Sequence, residues 1–358
     1  MENYPVSVNL VVYHGAPWLP WCLESLGKQT YENFFLLIID NGSIDKSFEI
    51  CQQFLNDHAA LAKRTRLVKN KHNVGFARGH NQAFSWTKSD YLLVLNQDVY
   101  LMPDYLAELV RCLMNEERAA AVTGKLLNWP FDSATFHVSA LAAPAAPRLI
   151  DSAGLEILRS RKVVNLGQGE TDQGQFNKMR RIFGVPATAP LYRRAALAAV
   201  SPQDKLFDED FISYKEDVDL AWRLAWADGD AWLVPQALAY HDRSLNQSKG
   251  WRSEFRLRQG RPRDLKVYSL VNHLGVLVKN ESWLNLLKDL PWVLAHELAK
   301  CLFLLVTDPV TLIQGQLRFW HLLPRFLKKR AALKPSHRRH YQELRAWWTR
   351  TKVAGQKI

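Results

Sequence analysis

Cysteine is scarce. Cys22, Cys51, Cys112 and Cys301 stand far apart, and none forms a Cys-x-x-Cys pair. That spacing argues against a zinc site or a disulfide framework and fits reduced cytosolic thiols. No uninterrupted run of about eighteen apolar residues occurs, which a membrane-spanning helix needs. The best stretch, 291–306, is broken by His296, Glu297 and Lys300 and reads as too short and too charged to span a bilayer. Residues 1–5 lack the basic-then-apolar pattern of a secretory signal. Acid nearly vanishes from the tail. From His321 onward Glu343 is the only carboxylate among many lysines and arginines, such as Lys328, Lys329 and Arg330. Such a tail attracts phosphate, on nucleic acid or on anionic lipid, although a solvated basic tail without a partner fits the charge equally well.

What is present is globular. Of the 358 residues 47% are apolar and 23% charged, with a net charge of +12. That composition is ample for one large domain with an appendage, or for two domains. Segments 6–13, 34–39, 66–69 and 91–95 read as strands, alternating with helical patterns at 17–27, 45–54, 79–87 and 104–117. The alternation implies βαβ units and a mainly parallel α/β sheet, in which ligands bind at the carboxyl ends of strands. Asp40 and Asn96-Gln97-Asp98 fall at such ends. Residues 139–148 read as an alanine- and proline-rich loop, 185–192 as extended with a short helix after it, and 231–234 as a last strand with His241 close behind. Segment 216–227 reads as a helix with carboxylates at its start and Gly229 just past its end. Beyond Asp242 the chain is arginine-dense over 243–266, then helical at 268–278, 283–306 and 310–327. The expected organisation is an α/β domain over 1–245 and a basic, amphipathic helical region over 246–358.

Several of these residues can carry chemistry. A carboxylate at Asp98 could hold a hard divalent cation that bridges two phosphates, but Asn and Asp are also ordinary strand-ending turn residues. Asp40 could accept from a base or ribose, or simply serve its Asp-Asn-Gly-Ser turn. The glycine-punctuated stretch 73–81 could bring backbone close to a phosphate, with Arg78 pairing to it; it is not Gly-x-Gly-x-x-Gly, and a plain loop fits as well. Glu216 and Asp217 suit the helix dipole. As adjacent carboxylates they also repel, which can hold one of them near working pH as a general base. Asp219, one turn in, reads as structural. His241 could ligate a metal, though a lone histidine is more often structural.

Taken in order, VSVNLVVYHG, IIDNGSID, NVGFARGHNQA, YLLVLNQDVYL, FDEDFISYKEDVDLAWRLAWADG and WLVPQALAYH resemble the inverting family-2 glycosyltransferases of GT-A type. The closest resemblance is to the bacterial rhamnosyltransferase-like branch, over about residues 5–245. The resemblance implies a Rossmann-like, mainly parallel (mixed) α/β sheet flanked by helices, with a C-terminal helical appendage. It implies that Tyr13 and Asp40 line the base and ribose site, and that Arg78 and Asn81 lie near the nucleotide or its phosphates. Asn96 and Asp98 match a DxD-like element, with Asp98 as the Mg2+ or Mn2+ ligand and His241 completing the metal site. Asp217 matches the general base, with Glu216 beside it positioning the acceptor. The implied activity is metal-dependent hexosyl transfer, of rhamnose in this branch, from a dTDP-, UDP- or GDP-sugar. The implied acceptor is lipid-linked or a polysaccharide, in cell-surface glycan synthesis. The family often acts on polyprenyl-diphosphate-linked sugars, which implies a cytoplasmic protein, peripheral at the inner face of the cytoplasmic membrane. Three departures stand out: Gln97 replaces a common proline, 184–190 carries two prolines instead of a small Ser-Gly-Ala element, and Gly79-His80-Asn81 replaces Gly-Asn-Asn.

In the tail, Trp283, Leu286, Leu287, Leu290, Trp292 and Trp320 neighbour lysine and arginine, the mixture of interfacial helices; a subdomain packed on the core is the alternative. Two rival functions remain. An inactive glycosyltransferase-like scaffold is left open by Asn96-Gln97-Asp98. A nucleic-acid-binding protein would fit the charge, but carboxylates at the strand ends would repel phosphate, so no nucleic-acid partner is expected. Random duplex DNA should therefore run unshifted beside the protein on a native gel at physiological salt; a salt-sensitive shifted band would favour the nucleic-acid reading.

Overall fold

The computed structural model describes residues 5–129, 148–201, 205–242, 260 and 262–349. Apolar stretches rich in valine, leucine and isoleucine form the largely buried strands β1 (Val6–Val12), β2 (Phe34–Asp40) and β4 (Tyr91–Asn96), and the half-exposed Thr-Arg-Leu-Val-Lys stretch forms the edge strand β3 (Thr65–Lys69). They lie parallel in the order β3-β2-β1-β4. The crossovers carry α1 (Leu19–Gly27), α2 (Ser47–Asp57), α3 (Ala59–Ala62) and α4 (Phe76–Trp86). After β4 come β5 (Val99–Leu101), α5 (Tyr105–Asn115), β6 (Ala119–Asn128), β7 (Ile150–Ser152), β8 (Leu155–Ile157), β9 (Val163–Asn165), β10 (Arg180–Ile182), β11 (Leu191–Arg193), α6 (Arg194–Val200), α7 (Glu216–Trp226) and β12 (Asp230–His241). Strand β11 runs antiparallel between β4 and β6, β12 is parallel to β6, and β10 closes the edge antiparallel. The result is the expected Rossmann-like sheet flanked by helices, parallel in its first half and mixed in its second.

Several short elements, β5, β7 to β10, α3 and α11, went unread in the sequence, and three further differences shape the sheet. Central strand β6 went unread because its alanines are poor strand formers; burial on both faces overrides that propensity. Gly124 is required there, since a Cβ would sit 2.1 Å from the Ala237 carbonyl oxygen. Strand β12 continues past Val234 to His241, with a register shift between Val234 and Leu238. Pro235 lies in that irregularity, where its missing N–H costs no ladder bond. Helix α4 begins at Phe76, not at 79, behind Gly75 at φ 91°. Most of the supposed loop 73–81 is thus helix, and Gly79 inside it lets α4 close on β1, because a Cβ would come 2.9 Å from Val11.

The C-terminal region forms α8 (Arg263–Asn280), α9 (Trp283–Thr307), α10 (Pro309–Leu333) and α11 (Tyr341–Thr349). The expected boundary near 245, the loop at 139–147, the arginine-dense 243–259 and the tail beyond 349 lie outside the described residues. Helix α9 begins at Trp283, and Pro291 sits inside it. With a mean hydropathy of 1.5 in its apolar window, it is long and apolar enough to cross a membrane by length and composition, contrary to the reading of 291–306 alone. Only Asn285, Asp289 and Val293 on it are buried. All four cysteines are free, and Cys22, Cys51 and Cys112 are buried.

Two buried polar networks fasten these helices to the α/β body. Asp219 of α7 accepts from Arg223 at 2.9 Å, Asn280 at 2.8 Å and Lys279 at 2.7 Å. Asp289 of α9 binds Arg159 and Arg345 at 2.7 Å, Arg161 at 3.2 Å and the Trp348 indole at 3.0 Å. Arg161 is itself buried and also binds Glu281. Removing one member of such a buried cluster strands the opposite charges. Asp289→Ala should therefore cost about 3–5 kcal/mol, read as an earlier midpoint in urea unfolding, whereas an exposed change such as Glu343→Ala should leave the midpoint unchanged.

Candidate functional site

Strand β4 ends at Asn96, and a tight Gln97-Asp98 turn leads into β5. The Gln97 side chain lies across the ends of β1 and β4. Its oxygen accepts from the Tyr13 amide at 2.8 Å and its nitrogen donates to the Tyr13 carbonyl at 3.0 Å. A Cβ at Gly15 would stand 2.4 Å from that oxygen, so glycine there makes room for the brace. Gln97 thus braces the turn by hydrogen bonding to the end of β1.

The shifted register of β12 brings His241 opposite Val99 and Asn128. His241 Nε2 lies 3.5 Å from Asp98 Oδ1, and Nδ1 lies 2.9 Å from Asp151 Oδ2. Burial opposes charge on this imidazole, but Asp98 and Asp151 outweigh it and push the ring up to about 9. Next in the chain, Asp242 accepts from the Trp18 indole at 2.7 Å, and its amide donates to the Asp98 carbonyl at 3.0 Å. Asp151 and Asp242 were missed in the sequence. Asp151 is 90 residues from His241, and no local motif marks either residue.

Glu216 and Asp217 open α7. The turn before them holds Tyr214 and Lys215 at φ 71° and 69°, left-handed values that are costly for these residues. Asn272 of α8 holds this backbone, its side-chain nitrogen lying 3.3, 2.9 and 2.7 Å from the carbonyls of Phe211, Ser213 and Tyr214. Asp217 accepts from the Val218 amide at 2.8 Å and the Ala187 amide at 3.4 Å. One oxygen of buried Glu216 has no hydrogen-bond partner in the structure. Burial, then the Asp217 charge, pushes Glu216 up to about 8. Burial also raises Asp217, against Lys215 and the backbone amides.

One cavity of about 550 Å3 unites Asn96, Asp98, Glu216, Asp217 and His241, with Trp18 and Lys215 also on its wall. The other predicted residues lie off it. Tyr13 is 42% exposed and stacks on His14 at 4.0 Å. Asp40 is buried; one oxygen accepts from the Ser43 amide at 2.7 Å and the other has no partner. Asn81 is buried, donates to the Phe207 carbonyl and accepts from the Phe207 amide, both at 2.9 Å, and donates to Glu209 at 3.1 Å. Exposed Arg78 stands 3.6 Å from the same Glu209.

The family model described as "Glycosyl transferase family 2" matches residues 7–199. Glycosyltransferase GlyG of Streptococcus pneumoniae serotype 4 is 27% identical over 132 residues, which cover 37% of this chain and 42% of GlyG. The chain thus matches less than half the length of that relative. A crystal structure of GalNAc-T7 with UDP, GalNAc and Mn2+ superposes with a TM-score of 0.55 at 14% identity, over 78% of this chain and 48% of that one. The mannosyltransferase PcManGT from Pyrobaculum calidifontis, in complex with GDP-Man and Mn2+, gives 0.51 at 14% identity, over 98% and 89%. At such identities the likeness shows the fold, which is of GT-A type.

The raised Glu216 has a consequence for stability. Folded Glu216 keeps its proton up to about 8, while the unfolded side chain loses it near its ordinary value of 4.5. The folded state therefore binds more protons across that interval, and its stability falls as pH rises. The contribution is complete below 4.5 and gone above about 8. Glu216→Gln should flatten the fall; an unchanged slope of unfolding free energy against pH would locate the proton elsewhere.

Proposed function

Because this chain belongs to glycosyl transferase family 2, we propose that it moves a sugar from a nucleoside-diphosphate sugar to an acceptor hydroxyl, with inversion at the anomeric carbon. One observation carries this reading: a single cavity gathers Asp98 and His241 from the strand ends with Glu216 and Asp217 from the start of α7.

In this reading Asp217 is the general base, taking the proton of the acceptor hydroxyl as it attacks. Glu216 and Asp217 share one proton near neutral pH, because two adjacent buried carboxylates do not both ionise. A protonated Glu216 can donate to the acceptor and hold it beside the base. Asn96 lines the sugar side of the cavity. Tyr13 and Asp40 take the base and ribose, supported by the exposed Tyr13 ring and the unpartnered Asp40 oxygen at the strand ends. Arg78 and Asn81 act less directly, through the Glu209 that both touch.

The residues fit a divalent cation. The field that draws a proton to His241, from Asp98 and Asp151, draws a metal equally, and Asp151 fixes Nδ1 so that Nε2 faces Asp98. Asp98 and His241 would hold the ion, Mg2+ or Mn2+, and it would neutralise the departing nucleoside diphosphate. The Mn2+ in the GalNAc-T7 and PcManGT structures supports this.

We extend the proposal to rhamnose from dTDP as the donor, supported by the motif resemblance alone; UDP- and GDP-sugars are the alternatives. The acceptor is lipid-linked or a glycan of the cell surface. Residues 1–245 would form the catalytic unit, with 246–358 a helical region at the cytoplasmic face of the membrane. The membrane part is supported by the exposed apolar residues of α9 and α10, among them Trp283, Leu287 and Trp320.

A thermal-shift screen of nucleotide sugars with Mg2+ or Mn2+ tests the reading, since a bound donor must raise the melting temperature. Asp217→Asn should lower transfer by about 10²–10⁴-fold and keep the donor-induced shift. Asp98→Ala should lose the metal-dependent part of that shift. Full turnover in Asp217→Asn would remove the base assignment, and no shift with any donor would favour an inactive scaffold.

A further inference from the structure

A second cavity, of about 360 Å3, adjoins the first; Lys215 and Val163 line both. On α8 Lys266, Leu270 and His273, and on α9 His296, Lys300 and Phe303, recur every three or four residues, so each set lies on the one helical face that borders the cavity. Lys162 beside β9, Lys215 beside α7 and Thr311 in the first turn of α10 also line it.

The charge around this space is unequal. Four lysines line it against one carboxylate, Asp308, which lies 3.0 Å from Lys266. Glu297, outside the lining, lies 2.5 Å from Lys300 and 2.7 Å from His273. Against the four ammonium groups these two carboxylates leave an excess of two positive charges. The histidines add none at neutral pH, because burial lowers both, His273 to about 4. Among the described residues neither Lys162 nor Lys215 has a carboxylate within ion-pair distance. Burial also lowers Lys215, with Lys300 and Lys162 adding to the effect against Asp217 and Glu216. An anion in the cavity would relieve that repulsion.

A metal is the rival occupant, since His273, His296 and Glu297 bring ligating atoms within 4.8 Å of one another. Glu297 is already engaged by Lys300 and His273, however, and the lysines would repel a cation. A second observation also favours an anion. Thr311 is 1% exposed, and its hydroxyl has no hydrogen-bond partner in the structure. A buried hydroxyl left unpaired is costly, and a ligand rich in acceptors would satisfy it. Ammonium groups are donors only, and those of Lys266 and Lys300 keep further N–H groups beyond their ion pairs. Donors together with an excess of two positive charges match a phosphoryl dianion in both respects.

We infer that this cavity is a second phosphate site, separate from the place of the departing diphosphate at Asp98 and His241, and that Lys162, Lys215 and Thr311 hold a phosphoryl dianion there with Lys266 and Lys300. Lys215 stands on the wall of both cavities, so the dianion is a neighbour of Glu216 and Asp217. Two sources supply this chemistry: a phosphate carried by the acceptor, or free phosphate. The site itself needs neither donor nor turnover; only its assignment to the acceptor rests on the proposed transfer.

The test is a thermal-shift titration of the full chain with inorganic phosphate, without donor and with EDTA present so that no metal-held anion contributes. Phosphate should raise the melting temperature saturably, above a sodium chloride control of equal ionic strength. Thr311→Val and Lys162→Ala should each weaken the apparent affinity about tenfold, as the loss of one hydrogen bond to a charged group does. Thr311→Val deletes only an unpartnered hydroxyl, so the fold should survive it. Exposed Lys88, in the connection between α4 and β4, serves as control, and Lys88→Ala should keep the full affinity. Wild-type protein without a saturable shift would overturn the site. So would full affinity in both cavity variants, or an equal loss in Lys88→Ala. Glucose 1-phosphate then separates the sources. Tighter binding than inorganic phosphate, lost in Thr311→Val, supports the site and assigns the phosphate to the acceptor; the reverse order, with the same loss, supports the site as one for free phosphate. Phosphate binding that persists in a protein without sugar transfer would count against the catalytic reading alone.

Discussion

Asp219 lies at the centre of the molecule's polar interior, and its burial has to be compensated before α7 can be placed. Burial opposes its charge, but Lys279 and Arg223 more than offset that and hold the carboxylate below its ordinary range. Lys279 reaches on to Asp208, which also binds Lys329 of α10. One buried carboxylate therefore ties α7 to α8 and, through Asp208, to α10. The same helix carries Glu216 and Asp217 at its start, where burial without such partners raises both. Three carboxylates on one helical turn thus differ in proton affinity because their surroundings differ, which is how one short segment can combine a structural anion with an acid–base pair.

The C-terminal helices take part in this arrangement and do more than cover it. Val267, Val271 and Val276 of α8 share a hydrophobic cluster with Val218, Ala221 and Trp222 of α7. Asn272 holds the left-handed turn that presents Lys215 and Glu216, and the Trp226 indole donates to the Asn280 carbonyl at 2.8 Å. A backbone held at positive φ by tyrosine and lysine persists only when its surroundings over-determine it; here the determinant comes from a helix far along the chain. Lys215 stands on the wall of the same cavity as Glu216 and Asp217, whose charges act on it.

Much of this was legible locally. The strands β2 and β4 follow from apolar runs of strand length, β1 from its β-branched residues, and α7 from its acidic start and apolar face. Asp98 and Asp217 could be named because each stands at the end or start of a strongly patterned element. His241 was legible as a residue near a strand end. Its role as the last residue of a long strand was not, because Pro235 reads locally as a stop. Strand β6 was hidden by alanine, whose strand propensity is poor but whose small side chain suits a strand packed on both faces. For Asn81 the motif position could not show that packing engages its amide with the Phe207 backbone.

The sequence by itself determined the α/β class, the family resemblance and the chemical types at the strand ends, because these depend on short-range periodicity and on ordered local motifs. Tertiary structure alone decided which of those residues share a cavity, that Asp151 stands behind His241, that Gln97 braces the turn after β4, and that Glu216 keeps its proton near neutral pH. Those outcomes depend on contacts between residues far apart in the chain and on burial, and neither quantity is written in any local window of sequence.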